Sequence, residues 1–251
     1  MNKQTELPEW QALYYVPKTT QSLLDIGCNI GELLNVAQSF GIQELTGIDI
    51  NKNAIEKALA LYANDSRYRF SHSSADVLQF EDKTFDAITI CEVIEHVPSE
   101  FRPKMISDMA RCLKDNGTIV LTTPYKGLFH WLDPANMRLR FPFIFNFLSK
   151  VVGGHGREHG FVGEKHDIVW HHHFTMKELE ELLCPHFEIT YKRMRGCLID
   201  PIAQYLLFPF YRKENYSSPI YNLIRKIKDW EASINFPPFL GFDILLVLKK
   251  K

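Results

Sequence analysis

A short acidic string that ends in a histidine follows an apolar stretch in the first half of the chain. Residues 86–91 are mostly apolar, and Glu-Val-Ile-Glu-His occupies residues 92–96. If this loop turns helically, Glu92, Glu95 and His96 fall on one face, because residues three and four apart are neighbours on a helix. Such a cluster could act as a general base or bind Mg²⁺ or Mn²⁺, since carboxylate oxygens and an imidazole suit these ions. The remaining interpretation is that Glu92 and His96 only stabilise the conformation of the loop.

A glycine-containing turn lies upstream of this string. Residues 22–26 have the pattern of a short buried strand, and helical periodicity follows over residues 32–40. Gly27 and Gly31, between them, allow the backbone to pass close to a ligand at a helix N-terminus. Asp49 ends a second apolar run 18 residues after Gly31, where a carboxylate can accept hydrogen bonds from both hydroxyls of a ribose. Together these features predict a nucleoside pocket.

The same turn argues against a dinucleotide. A dinucleotide site has the pattern Gly-x-Gly-x-x-Gly, whereas the three positions here hold Gly27, Asn29 and Glu32. Glu32 would repel a pyrophosphate at the helix start but not a ligand that carries a cation. Asp25, inside the first strand, would orient the turn and face such an ammonium group. A turn with no nucleotide at all is the alternative that this segment alone leaves open.

Strand and helix patterns alternate along the chain and predict a parallel, doubly wound α/β core. Thr175 is a plausible helix N-cap, because Glu178 follows three residues later. Beyond the first two strands, the predicted elements are a helix at 53–63, strands at 68–71 and 86–91, a helix at 99–113, a strand at 118–122, a helix from 175, and strands at 187–193 and 242–249.

Five segments in register resemble the motifs of class I S-adenosylmethionine-dependent methyltransferases. Residues 24–31 resemble motif I, with Asn29 in place of the usual middle glycine, and Asp49 resembles the ribose-binding acid of motif II. Residues 74–77 resemble the segment that meets the adenine, through the Asp76 side chain and the next backbone amide. Residues 85–97 resemble the family's fourth strand with its active-site loop, and residues 113–121 resemble the turn into the fifth strand.

This resemblance implies a Rossmann-like, doubly wound seven-stranded sheet with an antiparallel last strand and cap insertions. It also implies S-adenosylmethionine as cofactor. The residues expected to bind it are Asp25, Gly27, Cys28, Asn29, Gly31, Asp49, Ile50, Asp76, Val77 and Cys91. The string at 92–96 is similar to one in ubiquinone-biosynthesis O-methyltransferases and small-RNA 2′-O-methyltransferases, where it ligates magnesium or manganese. The corresponding metal ligands here would be Glu92, Glu95 and His96, with Glu92 and His96 also the first catalytic candidates.

Composition and length predict one domain over residues 1–251, with core segments at about 20–124, 174–195 and 241–250. A net charge of −1 provides no general attraction for nucleic acid, so no nucleic-acid partner is expected. The five cysteines show no Cys-x-x-Cys pair and are expected to be reduced thiols. No apolar stretch approaches about 18 residues and residues 1–10 are polar, so we expect a cytoplasmic protein.

Two aromatic-rich insertions, at about 125–173 and 196–240, are where the acceptor should be recognised, because ligands bind beyond the carboxyl ends of the strands. These insertions either pack a cap onto the core or form an apolar pocket or membrane-contacting surface. Residues 222–230 have the pattern of a short basic amphipathic helix. We expect methylation of a hydroxyl on a small-molecule, glycan or lipid-linked acceptor, with peripheral membrane contact. The alternatives are nitrogen or carbon methylation, or a non-catalytic S-adenosylmethionine-binding protein.

Histidines are concentrated in the first insertion, which holds seven of the ten between His130 and His173. His173 could lie near His96 and act as a base or as a further metal ligand. Alternatively, the histidine run at 171–173 could merely precede the helix at 175. The glycine-rich residues 153–160, within segment 150–170, suggest either a lid or a disordered loop.

Overall fold

The computed structural model describes residues 8–134, 136, 141, 143, 171–212 and 217–251. The prediction of a lid at 150–170 lies outside the described residues. In chain order the described elements are a 3-10 helix at Pro8–Tyr15, β1 at Ser22–Ile26, α1 at Glu32–Ser39, β2 at Glu44–Asp49, α2 at Lys52–Leu61, β3 at Tyr68–His72, β4 at Phe85–Cys91, α3 at Arg102–Cys112, β5 at Leu113–Pro124, a short 3-10 turn at His130–Leu132, α4 at Met176–Leu183, β6 at Phe187–Arg195, α5 at Ile199–Arg212, α6 at Pro219–Ala232 and β7 at Asp243–Lys250.

The strands form one seven-stranded sheet in the order β3-β2-β1-β4-β5-β7-β6. The first five strands pair in parallel, with β1 between β2 and β4. β6 and β7 run antiparallel, because the Lys251 N–H donates to the His186 carbonyl while the Thr190 hydroxyl donates to the Val247 carbonyl. This topology confirms the predicted doubly wound sheet with an antiparallel last strand.

The core lies along the central strands, which are apolar on both faces. Every residue of β1 is buried, and Leu23, Leu24 and Ile26 are at most 1% exposed. A strand buried on both sides reads as a continuous apolar run, which is why the sequence pattern at 22–26 identified it. The loops at the carboxyl ends of the central strands therefore start from buried strands.

The predicted elements are present, and two of them start three or more residues away from the predicted position. β5 is twelve residues long and starts at Leu113, because Leu113 already pairs with Phe85 of β4 directly after α3 ends. α3 begins at Arg102 rather than at 99, with Pro103 in its first turn, where a missing N–H leaves no hydrogen bond unmade. The capping box at Thr175 and Glu178 is confirmed by reciprocal hydrogen bonds.

The chain divides into two compact units. The first comprises residues 1–123, 174–192 and 245–251, and the second comprises 124–173 and 193–244. The second unit thus corresponds to the two predicted insertions to within a few residues. It contains α5 and α6, and α6 includes the predicted amphipathic helix at 222–230. In the described part of the chain, no helix is long and apolar enough to span a membrane.

Candidate functional site

The two glycines of the turn after β1 are required by backbone conformation and by packing. Gly27 has φ +79°, and a Cβ atom there would lie 2.2 Å from Cγ2 of Val93. Gly31, which caps α1, has φ +84°, and a Cβ atom there would lie 2.7 Å from the Phe70 ring. Left-handed backbone of this kind is open to glycine but strained for residues with a Cβ. The turn can therefore fold tightly only with these glycines.

Hydrogen bonds tie the turn to the end of β2. The Gly27 and Cys28 N–H groups both donate to the Ile48 carbonyl, at 2.8 and 3.0 Å. The Gly31 N–H donates to the Cys28 carbonyl, and the Asn29 N–H donates to the side chain of Asp49. These four N–H groups are satisfied within the protein. Within the turn, these four groups are therefore not free donors for a ligand.

Asp49 is the carboxylate that joins the turn to the second strand. Its Oδ2 accepts from the Asn29 N–H at 2.8 Å, and its Oδ1 accepts from the Asn51 N–H at 2.7 Å. An ionised carboxylate has about four lone-pair sites, so two backbone donors leave acceptor capacity for further hydrogen bonds. The half-buried side chain is thus held in place and can still bind two more donors.

A second carboxylate lies inside β1, where Asp25 is 4% exposed. The Thr89 hydroxyl of β4 donates to Asp25 Oδ1 at 2.7 Å, which fixes the carboxylate across the strand pair. Cys28 is buried beside these acids. Burial raises the pKa of the Cys28 thiol, and the negative charges of Asp25 and Asp49 raise it further.

The remaining cofactor candidates lie on the loops after β2 and β3 and at the end of β4. The Ser74 hydroxyl donates to Asp76 Oδ1, and Lys104 Nζ donates to the Asp76 carbonyl at 2.6 Å. Ile50 and Val77 are 63% and 39% exposed. Cys91 is the last residue of β4 and is half-buried.

The loop after β4 is built around two threonines of β5. Glu92 has φ +55°, and its Oε1 accepts from the Thr122 hydroxyl at 2.7 Å. Glu95 is 2% exposed, and its Oε2 accepts from the Thr123 hydroxyl at 3.2 Å. The His96 Nε2 lies 3.8 Å from Glu95 Oε1, with about a quarter of the His96 side chain exposed.

These contacts separate the two acids. Thr122 and Thr123 are consecutive in a strand, so their side chains leave opposite faces of the sheet, and the carboxylates that they hold are drawn apart. Glu92 would share a face with Glu95 and His96 only if the loop turned helically; in the structure Glu92 has φ +55°, and its N–H and its carboxylate bind Thr122 of β5 instead. Within the described residues, no group of three or more His, Cys, Asp or Glu side chains is arranged to hold a metal ion.

This arrangement of a tight glycine turn, an acid at the end of β2 and an acidic loop after β4 agrees with a comparison against protein families. The family model described as "Methyltransferase domain" matches residues 6–159, more than half of the chain. The chain belongs to the S-adenosylmethionine-dependent methyltransferases.

Two curated relatives of this methyltransferase each match less than half of its length. It is 36% identical over 113 residues to phosphoethanolamine N-methyltransferase 2 of Caenorhabditis elegans, covering 44% of this chain and 25% of that protein. It is 29% identical over 116 residues to a ubiquinone biosynthesis O-methyltransferase of Idiomarina loihiensis, covering 45% and 46%. The chain thus spans less than half the length of both relatives.

A crystal structure of an S-adenosylmethionine-dependent methyltransferase from Mesorhizobium loti has a similar fold. The TM-score is 0.60 at 15% sequence identity, and the match covers 99% of this chain and 100% of the other. At this identity the likeness concerns the fold, and it covers the second unit of this methyltransferase as well as the first.

His173 belongs to a polar cluster in the second unit. Its Nε2 lies 3.2 Å from Asp133 Oδ2, and its Nδ1 lies 3.3 Å from the Asn136 amide nitrogen. His171 also contacts Asp133, at 3.1 Å. Burial opposes ionisation of Asp133, but His171 and His173 hold the pKa of its carboxyl well below its usual range. A catalytic role for the almost fully buried His173 stays a prediction.

Sequence reasoning missed the residues that hold the predicted acids in place. These are Thr89, Thr122 and Thr123, which bind Asp25, Glu92 and Glu95. The available signal was a set of threonines within mostly apolar strand segments, since a buried hydroxyl needs a hydrogen-bond partner.

Proposed function

We propose that this methyltransferase binds S-adenosylmethionine at the carboxyl ends of β1, β2 and β4 and methylates a hydroxyl of a small-molecule, glycan or lipid-linked acceptor. The observation that carries the first half of the proposal is the Asp49 carboxylate. Two backbone N–H groups, of Asn29 and Asn51, fix it in one position. Its remaining lone pairs suit the two hydroxyls of a ribose, which are both donors.

The chemistry of the turn supports this cofactor over a pyrophosphate-containing one. Four N–H groups of the turn, which a phosphate would require, already have partners in the protein. Asp25 and Glu32 add negative charge beside the turn. The carboxylates of Asp25 and Glu32 suit the positively charged ammonium of S-adenosylmethionine. The exposed side chains of Ile50 and Val77 offer an apolar surface that a purine can cover.

The proposed base is His96. S-adenosylmethionine supplies a methyl group on a sulfonium, and an attacking hydroxyl must lose its proton as its oxygen bonds to the methyl carbon. The His96 ring is partly exposed and would take that proton. The buried Glu95, 3.8 Å away, would orient the ring and stabilise the imidazolium that forms. The carbon–sulfur bond breaks in the same step, and its electron pair stays on sulfur, which leaves as the neutral thioether of S-adenosylhomocysteine.

A metal-assisted route would use Glu92, Glu95 and His96 to hold Mg²⁺ or Mn²⁺ and acidify a bound hydroxyl. The threonine contacts of Glu92 and Glu95 would have to be exchanged for the ion, because they draw the carboxylates to opposite faces of β5. We therefore propose His96 as a base that acts without metal. Titration with Mn²⁺ tests this choice directly.

The cofactor is tested by calorimetric titration of the protein with S-adenosylhomocysteine, which requires no knowledge of the acceptor. We expect micromolar affinity that chelation leaves unchanged. Asp49→Asn should weaken binding by about 1–3 kcal/mol, because charge-assisted hydrogen bonds to ribose are lost. The matched control is Asp82→Asn, whose side chain is 74% exposed and precedes β4. A folded protein that binds no S-adenosylhomocysteine would overturn the proposal.

Methyl transfer is tested with labelled S-adenosylmethionine and fractionated cell extracts. We expect a methylated product whose formation falls at least about 100-fold in His96→Ala, with cofactor affinity nearly unchanged. Mass spectrometry of the product identifies the methylated atom, and a methylated nitrogen or carbon would contradict the hydroxyl assignment. Cofactor binding with no product from any extract would instead identify a non-catalytic S-adenosylmethionine-binding protein.

A further inference from the structure

Side chains of α3 hold the segment that follows β3. After a turn at its start, this segment forms no regular secondary structure, so its carbonyl groups need partners other than a strand or a helix. Lys104 Nζ donates to the Asp76 carbonyl at 2.6 Å. The Arg111 guanidinium donates to the carbonyls of Leu78 and Phe80, at 2.8 and 2.6 Å. Two basic side chains of one helix thus hold three alternate carbonyls of the segment.

The two basic side chains share one carboxylate on the same face of α3. Lys104, Asp108 and Arg111 are spaced by four and three residues, which places them along one side of the helix. Asp108 Oδ2 lies 2.8 Å from Lys104 Nζ, and Asp108 Oδ1 lies 3.5 Å from Arg111 Nε. An acceptor on its own helix and an acceptor on the segment therefore fix the Lys104 ammonium from two sides.

The position of Lys104 opposes the dipole of its helix. Lys104 is the third residue of α3, and the first turn carries no acidic side chain that would offset its charge. A cation is destabilising at a helix N-terminus, and a lysine four residues before an acid is the less favourable order for such a pair. Because the Lys104 side chain is 56% exposed, its pair with Asp108 adds little stability. The specific interaction that this lysine makes is its hydrogen bond to the Asp76 carbonyl.

Asp76 lies in a turn beside the proposed ribose-binding acid. The Ser73 N–H donates to the Asp49 carbonyl at 3.1 Å, so the segment begins next to Asp49. The Ser74 hydroxyl donates to Asp76 Oδ1, which leaves acceptor capacity on the Asp76 carboxylate. The Val77 N–H donates to the Ser74 carbonyl at 3.2 Å. Of the two groups expected to meet an adenine, the Val77 N–H is therefore occupied, and the Asp76 carboxylate can still bind a donor.

We propose that Lys104 is a positioning residue for recognition of the adenine. By holding the Asp76 backbone, it places the Asp76 carboxylate to accept a hydrogen bond from the 6-amino group of S-adenosylmethionine, and it does not contact the cofactor itself. The base is attached to the ribose proposed to bind Asp49, and Asp76 lies on the adjoining turn. This inference rests on the proposed cofactor site and names the side chain through which α3 contributes to it.

Calorimetric titration with two compounds tests the inference without an acceptor. The first compound is S-adenosylhomocysteine. The second is its analogue with unsubstituted purine in place of adenine, which lacks only the 6-amino group. A hydrogen bond to a charged acceptor is lost with the analogue, so wild-type protein should bind the analogue at least about tenfold more weakly. We call this ratio of the two affinities the amino-group preference.

Lys104→Met should bind S-adenosylhomocysteine about fivefold more weakly and the purine analogue as well as the wild type does, because only the amino-group bond depends on Asp76. The amino-group preference should therefore fall to about twofold. Lys104→Arg keeps a charged donor and should retain most of the preference. The matched control is Lys177→Met, which removes a lysine from the first turn of α4 that also pairs with an acid four residues later, Glu181. Both of its affinities should equal those of the wild type.

The possible results separate failure of this inference from failure of the proposed function. An unchanged amino-group preference in Lys104→Met would overturn the inference and leave the cofactor site intact. Equal weakening of both compounds would also overturn it, because Lys104 would then support the whole pocket and not the contact with the base. Wild-type protein that binds both compounds equally would show that Asp76 does not bind the amino group. Folded wild-type protein that binds neither compound would overturn the proposed function as well, and melting temperatures establish that each variant is folded.

Discussion

The Glu231 carboxylate of α6 accepts a hydrogen bond from the Asp200 backbone N–H in the first turn of α5, at 2.8 Å. The same carboxylate also accepts from the N–H groups of Cys197, Leu198 and Ile199, at 2.9–3.2 Å. The first N–H groups of a helix have no partner within the helix. One buried acid from a neighbouring helix therefore caps the whole N-terminus of α5.

Replacing Glu231 by Gln should destabilise the second unit by about 2–4 kcal/mol. The amide retains one acceptor oxygen, and its NH₂ group would face N–H donors that are buried and left unsatisfied. Hydrogen exchange of the amides at 197–200 should become much faster. The control is Glu188→Gln on β6, where the side chain is exposed. Unchanged exchange at 197–200 would show that the carboxylate does not hold this helix end.

Replacing Gly27 by Ala should destabilise the first unit by about 2–4 kcal/mol. A left-handed backbone costs about 1–2 kcal/mol for a residue with a Cβ, and the new methyl would also overlap Val93. Urea denaturation of the variant measures the loss. In a Val93→Ala background the same substitution should cost less, because the overlapping Cγ2 atom is gone while the backbone strain remains. Equal losses in both backgrounds would contradict the steric explanation.

Asp86, near the amino end of β4, should make the free energy of unfolding depend on pH. Burial disfavours its ionised form, but hydrogen bonds from Lys114 and from the Ser22 and Gln21 N–H groups outweigh this and lower its pKa to about 2. A carboxyl whose pKa is lower in the folded state stabilises the fold above its unfolded pKa of about 4. That stabilisation is lost as the pH falls from about 4 through about 2.

Asp86→Asn should therefore lower the free energy of unfolding by about 1–2 kcal/mol near pH 7, and the difference from wild type should shrink towards pH 2. Urea denaturation at several pH values measures both chains. Asp82→Asn, at a largely exposed surface pair, should change stability by less than about 1 kcal/mol. A loss for Asp86→Asn that is the same at every pH would refute the role of its charge.

The sequence predicts the core well because its signals are local. The apolar run at 22–26 identifies a strand without knowledge of its neighbours, and the Thr175 and Glu178 pair identifies a helix start. The loop at 92–96 is different, because the position of Glu92 depends on Thr122, which lies thirty residues further along the chain. The rule that residues three and four apart are neighbours on a helix cannot identify that partner.

The exposed side of α6 illustrates the same limit. The basic amphipathic pattern at 222–230 correctly predicts a helix. It does not reveal which of two apolar faces packs inward, because Tyr221 is buried while its neighbour Ile220 is exposed. The burial of Tyr221 depends on contacts with α5, and these are set by the tertiary fold.

Cys28 should be chemically inert in the folded protein although it lies in the turn of the proposed cofactor site. It is 3% exposed, and burial together with the nearby charges of Asp25 and Asp49 raises the pKa of its thiol. The thiolate is the reactive species, so alkylation of Cys28 by iodoacetamide near pH 8 should be at least about tenfold slower than that of the half-exposed Cys184. Peptide mass mapping over time measures both rates. In urea the two rates should become similar, and equal rates in the native protein would contradict the burial of this turn.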